Sequence, residues 1–244
     1  DVLEANDYMD MIIEARTNNG TIQDFPQLVQ MRESGNYVNT NWQDAIFRNA
    51  LNYRGNTTIT GGTETLKYNF SANYQNEDGI LLNSYYRRTG IKGGFEANLS
   101  QKVKLGVNLN TTYSKKRIQQ PTGGNTEDVT GVIAQALSMP PILPVYQPNG
   151  DYTQIAQHYA GLGLNNQLRN PVANLMENRN DTWSIRTMSN AYLEVKPIKG
   201  LTLRSSINFT TNSAKKDYYQ SAYLLGKKYT YLYAALTWDE YWAN

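Results

Sequence analysis

The residues that could do chemistry in this chain are few and scattered. His158 is the only histidine and there is no cysteine, so the sequence offers neither thiolates nor a second imidazole for a metal site. Adjacent carboxylates occur at Glu77-Asp78, Glu127-Asp128 and Asp239-Glu240. Carboxylates act as general acid and base only when they face each other across a site, whereas neighbours in turns are usually solvated or capping. We therefore predict no enzyme, no metal and no cofactor.

Composition narrows the class of protein further. The 23 basic and 21 acidic residues nearly cancel, which gives no case for nucleic-acid binding by bulk charge. Mean hydropathy is −0.61, and no apolar run approaches the ~20 residues of a membrane-spanning helix. Tyrosine and tryptophan, with 19 and 4 residues, far outnumber the five phenylalanines. Their amphipathic rings suit membrane interfaces and sugar-binding surfaces alike, so a soluble tyrosine-rich carbohydrate-binding β-sandwich stays open as an alternative.

Alternation of apolar and polar residues is the strongest pattern in the chain. In segment 103–113, Val, Leu, Val, Leu, Thr and Tyr alternate with Lys, Gly and Asn, and segments 66–74, 91–99 and 201–211 behave alike. Successive strand residues point to opposite faces, so each segment has one oily and one wet face. The pattern is typical of the wall of a transmembrane β-barrel, in which only alternate residues need be apolar.

Turn spacing divides the chain into five parts. Tight turns at 61–64, 100–102 and 198–200 share one end, and the long excursion lies at the other, as in barrels with short periplasmic turns and long extracellular loops. The smallest closed barrels need about eight strands, so about six strands predict a piece of a larger antiparallel barrel. The parts are 1–50, an extracellular loop region with short helices; 51–119, barrel strands; 120–182, a long extracellular loop; 183–217, a barrel hairpin; and 218–244, an aromatic-rich tail of open structure.

Helical patterns occur only in the two predicted loop regions. Tyr8, Met11, Ile12 and Ala15 have helical spacing, ended by residues 18–20, and a second helix is predicted to end at Gly35. In the long loop, Thr126 is predicted to cap a helix that ends before Pro140. Its predicted apolar face comprises Val129, Val132, Ile133, Ala136 and Leu137.

Several motifs together resemble one protein family. Residues 40–47, TNWQDAIF, are similar to the TDW-x-D-x-I-F motif of SusC/RagA-type TonB-dependent outer-membrane transporters. Residues 59–68, 78–88, 144–150 and 170–172 match further motifs of that family in order and with suitable spacing, over roughly residues 1–215. Asn41 stands where the family usually has Asp, and Val38 where it usually has Pro. The matched signature residues are Trp42, Asp44, Gly61, Gly62, Tyr68, Gly79 and Arg88.

The resemblance implies a location, a function and partners. Such transporters are 22-stranded barrels of the Gram-negative outer membrane with an internal plug. A SusD-like surface lipoprotein covers the mouth, and uptake of oligosaccharides or oligopeptides is powered through TonB. The plug and the TonB-contacting segment have no counterpart in these residues, so we expect a barrel segment within a longer protein. A passive porin or autotransporter wall is the alternative within the membrane class, and the sequence does not indicate which substrate is carried.

Register across the turn at 100–102 follows from a constant residue sum, within about one residue for a bulge. Leu99 is then opposite Val103, Ala97 opposite Leu105, Phe95 opposite Val107, and Ile91 opposite Thr111. We expect this set to face lipid, with Lys104, Asn108 and Glu96 in the lumen.

Two candidate contact sites complete the expectations from sequence. Tyr146 and Tyr152 flank a predicted turn in the long loop and are candidates for stacking against substrate or the lid lipoprotein. The same register sets Arg87 opposite Lys115, with Arg117 just beyond and Lys215 at the matching end of its own strand. Like charges facing each other need neutralisation. We therefore predict contact with the phosphates of lipopolysaccharide, the alternative being that these side chains merely extend into water.

Overall fold

The fold is that of one antiparallel sheet with every strand beside its sequence neighbour. The computed structural model describes residues 2–119, 131–165, 168–219 and 221, and the backbone of 236–243. The strands, which together we call the wall, are β1 (Asn52–Gly62), β2 (Leu66–Asp78), β3 (Tyr85–Ser100), β4 (Val103–Arg117), β5 (Arg179–Val195), β6 (Leu203–Tyr219) and β7 (Leu236–Ala243).

The predicted antiparallel barrel-type sheet is confirmed, with one strand more than the six expected. The seventh strand comes from the aromatic-rich tail, whose structure the sequence left open. Strand β5 begins at Arg179, four residues before its predicted start, which brings Asp181 into the sheet. The strands of the described residues form a single sheet, so the β-sandwich alternative is wrong for this part of the chain.

Register between β3 and β4 confirms the predicted pairing except at the turn. Ala97 lies opposite Leu105, Phe95 opposite Val107, and Ile91 opposite Thr111. The prediction for Leu99 was wrong, because a bulge between Asn98 and Ser100 places Ser100 opposite Val103. A bulge inserts one extra residue into one strand, so the error is confined to a single pair.

Connections differ sharply between the two ends of the wall. At one end, β1–β2, β3–β4 and β5–β6 are joined by residues 63–65, 101–102 and 196–202. At the other end lie residues 2–51, which precede β1, the connection 79–84, and the described residues between β4 and β5, which are 118–119, 131–165 and 168–178. We call the second end the loop end.

Residues at the loop end fold into helices that pack together; we call 2–50, 131–165 and 168–178 the loop module. Its helices are α1 (Ala5–Asn18), α2 (Pro26–Ser34), α3 (Trp42–Ile46), α4 (Val132–Ser138), α5 (Ile155–His158) and α6 (Pro171–Glu177), with single 3-10 turns at Ile22–Asp24 and Ala160–Leu162. No helix in the described part of the chain has the length and apolarity needed to cross a membrane.

Details of these helices differ from the periodicity predictions. In α1 the buried residues are Ala5 and Met9, whereas Met11 is 58% exposed, so the predicted apolar face is rotated. Helix α2 ends as predicted at Gly35, whose φ of 63° is the left-handed conformation that glycine adopts most easily. Helix α4 begins at Val132, and Leu137 is exposed rather than buried. Thr126 and Val129 lie outside the described residues.

All buried apolar residues of the described chain belong to the loop module. All of them except Ala173 form one cluster, whose largest members are Met9, Leu28, Trp42, Ile46, Ile142, Leu143, Ile155 and Leu175. The strands instead leave large apolar side chains exposed, among them Ile59, Phe70, Ile91, Phe95, Leu109, Ile207 and Phe209. The module therefore has a conventional core, whereas the wall has none of its own.

Candidate functional site

Register separates the wall into two chemically distinct faces. The apolar face carries Phe70, Ile91, Phe95 and Leu109 on β2–β4, and Phe209 on β6. On β4 it runs from Val103 to Tyr113, ten residue steps, which span about 25 Å at ~3.3 Å per residue and a typical tilt of ~40°. An apolar band of about 25 Å is what an outer-membrane barrel presents to lipid.

The opposite, polar face carries a connected network near the tight-turn end. Glu96 accepts hydrogen bonds from the Lys104 ammonium at 2.9 Å and from the Tyr192 hydroxyl at 2.6 Å. The Tyr192 ring covers Gly106, where an added Cβ would lie 2.1 Å from the ring, and the Arg204 guanidinium lies 3.8 Å from the ring centre. Glu96, Lys104 and Asn108 thus share one face, opposite to that of Phe95 and Val107.

The four predicted lipopolysaccharide contacts lie on the apolar face at the loop end, but they are not equivalent. Arg117 forms a bidentate ion pair with Asp181, at 2.6 and 2.7 Å, and both side chains are largely buried. Lys215 lies 3.7 Å from an Asp217 carboxylate oxygen. Arg87 lies opposite Lys115 as predicted, and within the described part of the chain its side chain donates only to the Asn76 side chain, at 3.0 Å.

Aromatic rings lie near the remaining two cations, Arg87 and Lys115. The Arg87 guanidinium lies 4.9 Å from the centre of the Tyr85 ring. The Lys115 ammonium lies 5.8 Å from the same ring and 5.2 Å from the Trp183 ring. Cations are attracted to ring faces at these distances, although more weakly than to a carboxylate.

The signature residues of the 40–47 motif hold the loop module together. Trp42 is 2% exposed, and its indole N–H donates to the Pro140 carbonyl at 3.0 Å. Asn41 caps α3 by accepting from the backbone N–H groups of Gln43 and Asp44, and its amide donates to the Asp44 carboxylate at 2.7 Å. Asn and Asp are equally good caps, which explains why Asn is accommodated at position 41.

The signature glycines make room for close approach. Gly61 lies opposite Tyr68, whose ring covers it, and a Cβ there would come 2.5 Å from the Tyr68 hydroxyl oxygen. At Gly62 a Cβ would meet the Leu66 carbonyl oxygen at 2.3 Å, and at Gly79 it would meet the Ser84 hydroxyl oxygen at 2.1 Å. Arg88, the last signature residue, lies exposed on the polar face.

Two residues that the sequence analysis missed join the module to the wall. Arg48 donates to the Gly79 and Ser84 carbonyls at 3.1 and 2.8 Å. Asn83, at a φ of 58°, accepts from Arg117 at 2.7 Å and donates to the Leu175 carbonyl at 3.0 Å. Arg48 directly follows the 40–47 motif, so the sequence could have indicated it as a functional residue. The contacts of Asn83 are with residues distant in the chain, and no sequence feature indicated them.

Tyr146 and Tyr152 are brought together as a pair on the surface of the module. They face each other in a short antiparallel bridge, with ring centres 5.1 Å apart and ring planes tilted by 33°. Between them the Gln147 N–H donates to the Asp151 carbonyl, and Gly150 adopts a φ of 87°. Tyr146 is half exposed, so the pair presents one ring to solvent.

Catalytic or metal-binding geometry is not found in the described part of the chain. His158 Nδ1 accepts from the Gln154 backbone N–H, and no three His, Cys, Asp or Glu side chains of the described residues cluster as a metal site. Glu77 and Asp78 are consecutive strand residues and point to opposite faces. Glu127-Asp128 and the side chains of Asp239-Glu240 lie outside the described residues.

One ion pair tunes a carboxyl group inside the loop module. The Arg32 guanidinium on α2 donates to both carboxylate oxygens of Asp10 on α1, at 2.7 and 3.0 Å, and to the Tyr37 hydroxyl at 3.1 Å. Hydrogen bonding from Arg32 lowers the pKa of Asp10 below its usual range and raises that of Arg32. Burial raises the pKa of the Tyr8 hydroxyl on the same helix.

Comparisons with known proteins agree with the motifs. The chain is 26% identical over 186 residues to the TonB-dependent receptor P26 of Formosa agariphila, and 28% identical over 192 residues to the receptor P3 of the same species. It is 27% identical over 135 residues to the TonB-dependent receptor SusC of Bacteroides thetaiotaomicron. These matches cover 76%, 75% and 55% of this chain, but only 17%, 18% and 13% of the relatives. No family model matches.

Solved structures share the fold. The RagAB peptide transporter superposes with a TM-score of 0.67 at 17% identity, over 94% of this chain and 27% of that one. Its open-open state gives a TM-score of 0.66 at 19% identity, over 90% and 26%. The predicted resemblance to a segment of a SusC/RagA-type TonB-dependent receptor is therefore confirmed, and the expectation of a protein that is not an enzyme is supported.

Proposed function

We propose that this chain forms part of the wall and part of the extracellular mouth of a TonB-dependent importer in the outer membrane of a Gram-negative bacterium. The observation that carries the proposal is the asymmetry of the wall. One face is apolar over about 25 Å, the other is polar, and the helical module lies at one end only. The relatives span five times or more the length matched here, so the activity belongs to the longer protein.

We assign the apolar face to lipid and the polar face to the lumen. Side chains such as Ile91 and Leu109 are exposed in the sheet and have no partner layer among the described residues. At about 25 cal/mol per Å² of apolar surface, exposing such a face to water is unfavourable. Lipid removes this cost, whereas the hydrogen-bonded Glu96–Lys104–Tyr192 network suits a wet interior.

The cargo in this proposal is an oligosaccharide or an oligopeptide, taken up together with a SusD-like surface lipoprotein. The RagAB peptide transporter is among the similar structures, which supports the oligopeptide class, whereas the oligosaccharide class follows from the family resemblance of the motifs. Within the module, the Tyr146–Tyr152 pair is our candidate contact, because its exposed ring offers a flat stacking surface on a short hairpin.

Energy coupling separates this function from a passive pore. In cells that carry the full-length protein, uptake of labelled oligosaccharides and oligopeptides should stop when TonB is deleted or the proton gradient is collapsed. A passive porin or autotransporter wall predicts uptake that continues unchanged under both treatments, and that outcome contradicts the proposal.

The tyrosine pair is tested with Tyr146→Ala and Tyr152→Ala in the full-length protein. Both should weaken uptake or co-purification of the lipoprotein while leaving barrel assembly intact. Leu137→Ala is the matched control, because Leu137 is an exposed residue of the same module outside the pair. Equal effects of all three substitutions, or none, would remove the pair from the contact surface.

A further inference from the structure

Two adjacent rows of side chains cross the apolar face at the loop end of the wall. On β3–β6, successive register partners form the basic row, which is Arg87, Lys115, Trp183 and Lys215; on β7 the backbone register sets Asp239 beside Lys215. The next row, farther from the apolar band, is Tyr85, Arg117, Asp181 and Asp217; we call it the acidic row. The basic row therefore lies between the acidic row and the apolar band.

Two cations of the basic row, Arg87 and Lys115, have no ion-pair partner among the described residues. Arg117 is neutralised by Asp181, and Lys215 has Asp217 at 3.7 Å. Asp78, at the edge of the acidic row, lies 4.0 Å from Arg48. No carboxylate of the described residues lies within ion-pair distance of Arg87 or Lys115, which face each other directly across β3 and β4. Like charges in that position destabilise a sheet unless an anion joins them.

The position of the basic row along the membrane normal indicates which kind of anion lies beside it. Tyr113 is the last residue of the apolar band toward the loop end, and the basic row lies two residues beyond it. Two residues correspond to ~6.6 Å along a strand, or about 5 Å along the membrane normal for a ~40° tilt. Head groups occupy about 5–7 Å beyond the hydrocarbon on each side of a bilayer. The basic row therefore lies at head-group level, whereas the two carboxylates of the next row are already paired with Arg117 and Lys215.

We infer that Arg87 and Lys115 form a phosphate site for lipopolysaccharide of the outer leaflet, with the Tyr85 and Trp183 rings beside the two cations. The inference goes beyond import, and it rests on the proposed function only in taking the apolar face to be the lipid face. Arg87 is held by Asn76, which leaves its terminal guanidinium nitrogens for a phosphate oxygen. Lys115, between the Tyr85 and Trp183 rings, supplies the second charge. Arg117 is excluded from the predicted cluster, because Asp181 already binds it.

The test compares two pairs of substitutions that remove the same charge from the same two strands. Arg87→Gln with Lys115→Gln removes the site, and Lys92→Gln with Lys116→Gln removes two cations of the polar face. The full-length protein is placed in phosphatidylcholine nanodiscs containing lipopolysaccharide, and bound lipid is counted by native mass spectrometry. At about fivefold per cation near an anionic lipid surface, the site pair should lose about 25-fold in lipopolysaccharide affinity. The control pair should lose less than about twofold, since its charges lie on the other face.

A charge-conserving variant and a dephosphorylated lipid test for misfolding and identify the ligand. Arg87→Lys with Lys115→Arg keeps both charges and should retain the lipid, which shows that loss in the Gln variant is not a folding failure. Dephosphorylated lipopolysaccharide should bind wild type and the Gln pair equally. Equal losses in the site and control pairs, no loss in either, or complete displacement of the lipid by inorganic phosphate each overturn the site. Detergent-free solubility of the full-length protein would instead overturn the proposed membrane function.

Discussion

The loop module and the wall are built on opposite principles. The module buries Met9, Leu28, Trp42 and their neighbours from six helices in one core. The described side chains of the wall contribute nothing to that core, and its large apolar side chains lie on an open face. The first arrangement is that of a water-soluble domain, and the second is stable only where another apolar phase covers it.

The junction between these regions contains several polar contacts, beside the apolar contact of Leu81 and Leu82 with the module core. Arg48 and Asn83 bind backbone carbonyls at 79–84 and in α6, and the Arg117–Asp181 pair lies beside them. Hydrogen bonds of this kind hold the module against the wall without extending the module core into the sheet. We therefore expect perturbations of the module and of the wall to separate experimentally.

Trp42→Ala should have the largest effect and should break the module alone. The substitution empties the centre of a closed core and removes the hydrogen bond to Pro140, for a loss of about 3–5 kcal/mol in module stability. Hydrogen exchange in the full-length protein should show lost protection in α1–α6, with β2–β5 unchanged. Met11→Ala, at an exposed position of α1, is the control. Simultaneous loss of protection in the strands would show that the two regions are one cooperative unit.

Leu109→Arg should break the wall alone. Leu109 lies near the middle of the apolar band, where a charge facing lipid costs about 2–4 kcal/mol. Asn108→Arg places the same side chain one residue away on the polar face and should change the free energy of unfolding by less than about 1 kcal/mol. Denaturant-dependent folding into lipid vesicles measures both variants. If Asn108→Arg proves the more damaging, the assignment of the faces is reversed.

Features set by residues close in sequence were predictable, whereas contacts between residues distant in sequence were not. The two faces of β4 and the pairing of β3 with β4 beyond the bulge were predictable, because a period of two and a short turn are local features. The partnership of Arg117 with Asp181 was not, since residues 118–178 intervene and no turn sets that register. The contact of Trp42 with Pro140 spans 98 residues and was equally inaccessible. In α1, where local periodicity was used, it favoured Met11 over the buried Met9.

Asn41→Ala tests whether a small loss of stability in the module leaves the wall unaffected. The substitution removes the cap of α3 and should cost about 1 kcal/mol, because the N–H groups of Gln43 and Asp44 lose their acceptor. Asn41→Asp keeps that acceptor but replaces the amide that donates to Asp44 with a second carboxylate. Thermal unfolding of the module should rank wild type first, Asn41→Asp second and Asn41→Ala last. A wall whose melting also shifts would contradict the separation of the regions.

The smallest expected effect is a pH dependence confined to the module. Arg32 holds the pKa of Asp10 below its usual value, so the folded state binds the proton less tightly than the unfolded chain does. The stabilisation is thus fully present above the unfolded pKa of about 4 and is lost as pH falls through the lower folded value. Because both side chains are substantially exposed, the effect is small and should diminish further at high salt. Hydrogen exchange should show α1 and α2 loosening together below about pH 4, whereas Asp10→Asn should show their packing independent of pH in that range. A wild-type module that tightens on acidification contradicts the sign of this linkage.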